Sequence, residues 1–154
     1  VATYIEPFPA SKRGDAFGTM AAYRSHPHRG QDWHPAAGSD IPAITAGTVM
    51  KVYTSVGLGH SLVQSTLDGF FVEYNHLEEL PILRQGDKLE IGQIIGHVGN
   101  TGTFTTGPHL HLAMGTSKNP AECIASKLID PLKHIQAHPY IKPAPTKKPT
   151  RSKK

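Results

Sequence analysis

The sequence predicts a mainly β protein: an antiparallel, sandwich-like sheet with long loops and one short C-terminal helix. Three observations predict it. The apolar runs are short and rich in β-branched residues, which suit a pleated, half-buried surface. Fifteen glycines and thirteen prolines among 154 residues break the chain into segments too short for long helices. From Ile44 onward, strand-like segments follow one another with turn residues between them.

Taken in order, residues 1–43 hold Pro, Gly and Ser too often for long regular structure, so loops with one short strand are expected. That stretch nonetheless carries His26, His28, Asp32 and His34. Strands are expected over residues 45–53, 60–65, 70–76, 93–98 and 108–114. Gly57, Gly59, Asp68-Gly69, Gly86-Asp87 and residues 100–102 supply turns between them. Alternation along 108–114 places His109, His111 and Ala113 on one face and Leu110, Leu112 and Met114 on the other. Along 70–76 the same rule groups Phe70, Val72, Tyr74 and His76, with Phe71, Glu73 and Asn75 opposite; Tyr74 is expected to pack, with donation to bound peptide as the alternative. Asp130 followed by Pro131 reads as an N-cap and first helical residue, opening a helix to about Ala137.

A chain of this length closes one core, expected over residues 1–140. The net charge of +4 belongs to the end of the chain: Lys142, Lys147, Lys148, Arg151, Lys153 and Lys154 leave the preceding body at −2. Residues 141–154 also hold Pro143, Pro145 and Pro149, so they read as a disordered basic linker or tail. Without interleaved aromatics or a reading module, this tail argues against a nucleic-acid partner. The single cysteine, Cys123, permits no intrachain disulfide and reads as a small packed hydrophobe. No apolar run reaches the roughly 18 residues of a membrane span. A monomer is expected, and the start at Val1 reads as that of a processed or excised fragment.

Candidate chemistry lies in His28-x-x-x-Asp32 and His109-x-His111. Imidazole and carboxylate are zinc ligands, and a catalytic site takes three of them with one position left open. Spacing alone is unspecific, since ten histidines in a chain this long yield about 0.6 His-x-His pairs by chance. His26, two residues before His28, is the rival ligand. Context decides, through four blocks: His28-Arg29-Gly30-Gln31-Asp32-Trp33; Tyr74-Asn75-His76-Leu77; the glycine-punctuated stretch of residues 86–102; and Thr106-Gly107-Pro108-His109-Leu110-His111-Leu112. In this order they resemble the lysostaphin-type (LytM-like) zinc endopeptidases that cut peptidoglycan cross-bridges, over about residues 17–131. One departure is Leu112-Ala113, where the family has an aromatic and an acid.

The resemblance implies one zinc ion held by His28, Asp32 and His111, with His109 and His76 as unliganded catalytic histidines. A His-Glu-x-x-His motif, whose Glu would be the base, is absent. His109, about 7 Å from His111 along a strand, is then the candidate proton acceptor. His76 is the candidate partner of the developing oxyanion, the two roles being exchangeable. Activity is expected to rise as pH climbs through roughly 6.5. Thr101, Thr103, Thr105 and Thr106 are expected to line the substrate groove.

The expected function is hydrolysis of peptidoglycan stem peptides or cross-bridges, leading to wall lysis. An inactive domain of the same fold that binds the wall or activates another hydrolase is the alternative, and a phosphocarrier domain is a more distant one. The order of catalytic head and basic linker resembles a phage endolysin with a C-terminal wall-binding module, released at lysis; a secreted bacterial enzyme is the other setting.

Overall fold

The computed structural model describes residues 1–122 and 127–146; Cys123 and the tail from Lys147 lie outside them. The strands are β1 (Gln31–Trp33), β2 (Asp40–Pro42), β3 (Gly47–Ser55), β4 (Gly59–Thr66), β5 (Phe71–Leu77), β6 (Lys88–Leu89), β7 (Ile94–His97), β8 (Leu110–Gly115) and β9 (Leu128–Ile129). Among the described residues one α-helix, α1 (Pro131–Ala137), follows them. The main sheet runs β1-β8-β5-β4-β3-β6, with β9 also on β8, and β2 and β7 form a second, two-stranded sheet. Every strand pairing in both sheets is antiparallel. The mainly β, one-helix reading of the sequence therefore holds.

The five expected strands correspond to β3, β4, β5, β7 and β8. The last starts at Leu110 instead of Pro108. Proline offers no N–H to a ladder, and the His109 amide donates outward to Gly99 O at 3.2 Å. Residues 1–43 hold two short strands, β1 and β2, where one was expected, and β6 and β9 were not expected at all, because two or three residues carry no readable alternation.

One core joins both sheets: Trp33 from β1, Ile41 from β2, Leu62 from β4, Tyr74 from β5, Ile95 from β7, and Leu110, Leu112 and Met114 from β8. The alternation expected along β8 is thus observed. Tyr74 packs as expected; its hydroxyl donates to Gln64 and accepts from the Ile44 amide at 3.0 Å.

Alternation fails at His76, which does not share the face of Val72 and Tyr74. His60 pairs with Leu77 and Leu62 with Tyr74, so Ser61 alone faces both Asn75 and His76. His76 takes φ of 62°, the left-handed conformation that absorbs this extra residue. The bulge turns His76 to the face of His111 and returns Leu77 to the core.

Helix α1 begins as predicted. The Asp130 carboxylate accepts from the Lys133 amide at 3.2 Å, with Pro131 in the first turn. Ile135 enters the core. His134 Nε2 meets Asp68 Oδ2 at 2.9 Å, and Tyr4 OH donates to Asp68 Oδ1 at 2.6 Å, which fastens the helix to the β4–β5 turn and the N-terminal segment.

Candidate metal centre

Strand pairing brings the first two donor groups together, because Asp32 of β1 lies directly opposite His111 of β8. His28 precedes β1, where its amide donates to Thr19 O at 2.9 Å and its carbonyl accepts from the Gly18 amide at 2.8 Å. Residues 12–19 continue along this edge, with Gly14 and His34 amides bonding Asp32 O and Lys12 O at 2.9 and 2.7 Å. The exposed edge that β1 would otherwise present is covered. Gly30 is required by close approach: a Cβ there would sit 2.4 Å from Leu112 O and 2.8 Å from the His111 ring.

Three donor atoms converge within 4.8 Å of one another. Asp32 Oδ1 stands 2.9 Å from His111 Nδ1 and 3.3 Å from His28 Nε2. Ligand atoms held tetrahedrally at about 2.0–2.2 Å from zinc lie roughly 3.3 Å apart, so the set fits such an ion. His28 Nδ1 donates to Ala16 O at 3.1 Å, which leaves Nε2 as a lone pair for the metal. Burial opposes ionisation of Asp32, but the His111 and His28 imidazoles beside it outweigh that and hold the carboxyl well below the usual range.

Beside this set lie two further imidazoles. The His109 ring centroid is 4.8 Å from that of His76, and His109 Nε2 reaches to 3.9 Å from Asp32 Oδ1. His109 Nδ1 donates to Gly107 O at 2.9 Å, with the Thr105 hydroxyl at 3.2 Å. His76 Nδ1 donates to Thr101 O at 2.7 Å. Burial lowers the pKa of both rings, that of His76 to about 4. A neutral imidazole whose Nδ1 donates can only accept at Nε2. Each ring is therefore set to take a proton, and becomes a donor only after taking one.

The five sequence-predicted site residues all line one cleft of about 1310 Å³. Thr103, Thr105 and Thr106 line it as expected. Thr101 does not: its hydroxyl donates to Leu77 O at 2.7 Å and accepts from the His60 amide at 3.1 Å, while its carbonyl holds His76. His26 lines the cleft but stands apart from the donor set, its Nδ1 turned to Pro27 O at 2.9 Å. His34, which was not among the sequence-predicted site residues, stacks on His109 with centroids 5.3 Å apart and planes 26° apart. Period two was a usable signal for it, since His34 shares the face of Asp32 while Trp33 points into the core.

An ionised carboxylate and two imidazoles converging on one point, with proton-accepting rings alongside in an open cleft, are the parts of a hydrolytic metal centre. On an antiparallel β scaffold this defines a metallopeptidase-like class. Residues 26–123 match the model of Peptidase family M23, and the chain belongs to that family of zinc-dependent, lysostaphin-type metalloendopeptidases. It is 31% identical over 118 residues to glycyl-glycine endopeptidase ALE-1 of Staphylococcus capitis, covering 73% of this chain and 30% of the relative. It is 34% identical over 96 residues to the peptidoglycan DD-endopeptidase ShyC of Vibrio cholerae, covering 60% of this chain and 22% of the relative. The catalytic domain of the antimicrobial peptidase lysostaphin from Staphylococcus simulans superposes with a TM-score of 0.71 at 29% identity, covering 81% of this chain and 92% of that one. The chain spans less than a third of the length of these two curated relatives.

Proposed function

We propose that the chain is a zinc-dependent endopeptidase that hydrolyses peptide bonds in bacterial peptidoglycan, with His28, Asp32 and His111 holding the metal and His109 and His76 assisting. The observation that carries this reading is the convergence of the three donor atoms with two neutral imidazoles beside them. When bound there, zinc supplies a Lewis acid that polarises a carbonyl and acidifies water. The protein's own groups do the rest. Asp32 stays ionised and offsets part of the cation's charge. His109, anchored through Nδ1 on Gly107, accepts the proton of the attacking water at Nε2. His76, anchored on Thr101 with its ring 4.8 Å from that of His109, offers a second accepting Nε2; a proton of the attacking water taken there instead is returned to the tetrahedral intermediate, so the two rings can exchange roles.

One relative is a glycyl-glycine endopeptidase and the other a peptidoglycan DD-endopeptidase, which supports a cross-link or stem-peptide substrate here. Action at the cell wall, by an enzyme secreted or released at lysis, follows from that substrate. An inactive domain of the same fold gains no support, because all three donor groups and both neighbouring imidazoles are in place.

Purified walls of known cross-link chemistry, digested and analysed by mass, test the proposal. Soluble fragments with new amino termini at peptide bonds are expected. Release of fragments through glycan cleavage alone, with every peptide bond intact, would overturn it.

A further inference from the structure

We propose that His34 is a positioning residue for His109, holding the ring of the proton acceptor in the orientation that hydrolysis requires. The inference rests on the reading of His109 given above. His109 is tethered by hydrogen bonds at one nitrogen only, to Gly107 O and the Thr105 hydroxyl. Such a tether fixes the direction of Nδ1 but leaves the ring free to tip about it, except where the His76 ring bounds it, 4.8 Å away and inclined by 46°. A second aromatic plane lying against the ring removes that freedom, and His34 supplies one, 5.3 Å away and inclined by 26°.

The placement of His34 is itself built. It follows β1 on the face of Asp32, and its amide is fixed to Lys12 O at 2.7 Å. Its ring occupies the space over Gly14, where a Cβ would come within 2.3 Å of it. Gly14 is in turn held by its amide on Asp32 O at 2.9 Å. The side chain is exposed and makes no core contact, so its stack on His109 is not a by-product of core packing. A bare backbone at position 14 opens a slot, the slot seats His34, and His34 steadies His109.

The test uses kcat and KM on a soluble cross-linked wall peptide, metal content, and ring nitrogen NMR of His109, for wild type, His34→Ala, His34→Phe, Gly14→Ala, His109→Ala and the double variant His34→Ala/His109→Ala. Misplacing a reacting group lowers kcat more than binding. His34→Ala is expected to lose about tenfold in kcat with KM within about twofold. It keeps its metal, and its His109 ring signals broaden. His34→Phe, which retains a stacking plane, restores most of the rate. Gly14→Ala, which displaces the His34 ring without removing it, reproduces the loss. The double variant is no slower than His109→Ala, as residues acting through one group require.

Unchanged kcat in His34→Ala would overturn the proposal, as would a loss confined to KM, loss of metal, or equal impairment of the Ala and Phe variants. Full activity in His109→Ala would instead remove the role of His109 as base, a separate failure.

Discussion

Asp32 meets two demands at once, since it must stay ionised while buried and must face two imidazoles. Its register opposite His111 and the two imidazoles beside it satisfy both. Removing His111 is expected to abolish metal retention, whereas His109→Ala keeps the metal and loses roughly 10²–10⁴ in rate, the usual contribution of a general base. Metal analysis alongside wall-peptide hydrolysis checks both. Because burial lowers the pKa of His109, the rate is lost as pH falls through a value below the ordinary 6.5, where the ring acquires its proton. A pH–rate profile whose acid limb lay above 6.5 would contradict that assignment. At Gly30 an added methyl meets a carbonyl and the His111 ring, so Gly30→Ala is expected to lose about 1–3 kcal/mol of stability and to weaken metal affinity, as read by denaturation and competitive chelation. The three donor residues were singled out in the sequence by the resemblance of the four ordered blocks around them, since spacing alone did not distinguish them from chance. His34 was not read as part of the site, because its partner His109 lies 75 positions away and only the fold reveals the stack.

Elements bring these residues together through pairing register and one deliberate irregularity. The alternation of β8 was readable because six residues carry it without interruption. That of β5 was misread at its last turn, because a bulge at a non-glycine residue leaves no compositional mark. Thr101 stabilises this irregular end by bridging β4 and β5. Thr101→Val is expected to cost about 1–3 kcal/mol for the unsatisfied backbone groups and to lower kcat through His76, measurable by denaturation and kinetics on the same preparation. At the opposite end, Asp68 receives hydrogen bonds from Thr66, Tyr4 and His134 that together outweigh burial and lower its pKa. Stability from Asp68 is therefore present above the ordinary carboxylate value of 3.8 and lost as pH falls through the lowered one. Asp68→Asn should lower the melting temperature at neutral pH and flatten its decline in acid. A parallel decline in both proteins would show that α1 is not held this way. The helix itself was legible from Asp130-Pro131, since a cap is a local signal; its docking on Asp68 was not, being 66 positions away for His134.

At the scale of the molecule, the two sheets share one core and leave the polar end of β5 and β8 open as a cleft, so the scaffold and the site are made by the same strands. The mainly β class was readable because turn residues recur throughout, while the short strands β1, β6 and β9 depend on neighbours brought from elsewhere in the chain. The central claim is that one metal ion, held by His28, Asp32 and His111, serves peptide hydrolysis in this cleft. It is tested most directly by titrating zinc into chelator-stripped protein while following new amino termini on purified walls. Activity is expected to be absent at the start, to rise with added zinc to a maximum at one equivalent, and to stay absent throughout in His111→Ala. Full wall cleavage by the stripped protein, or a His111→Ala variant that responds like wild type, would contradict the claim.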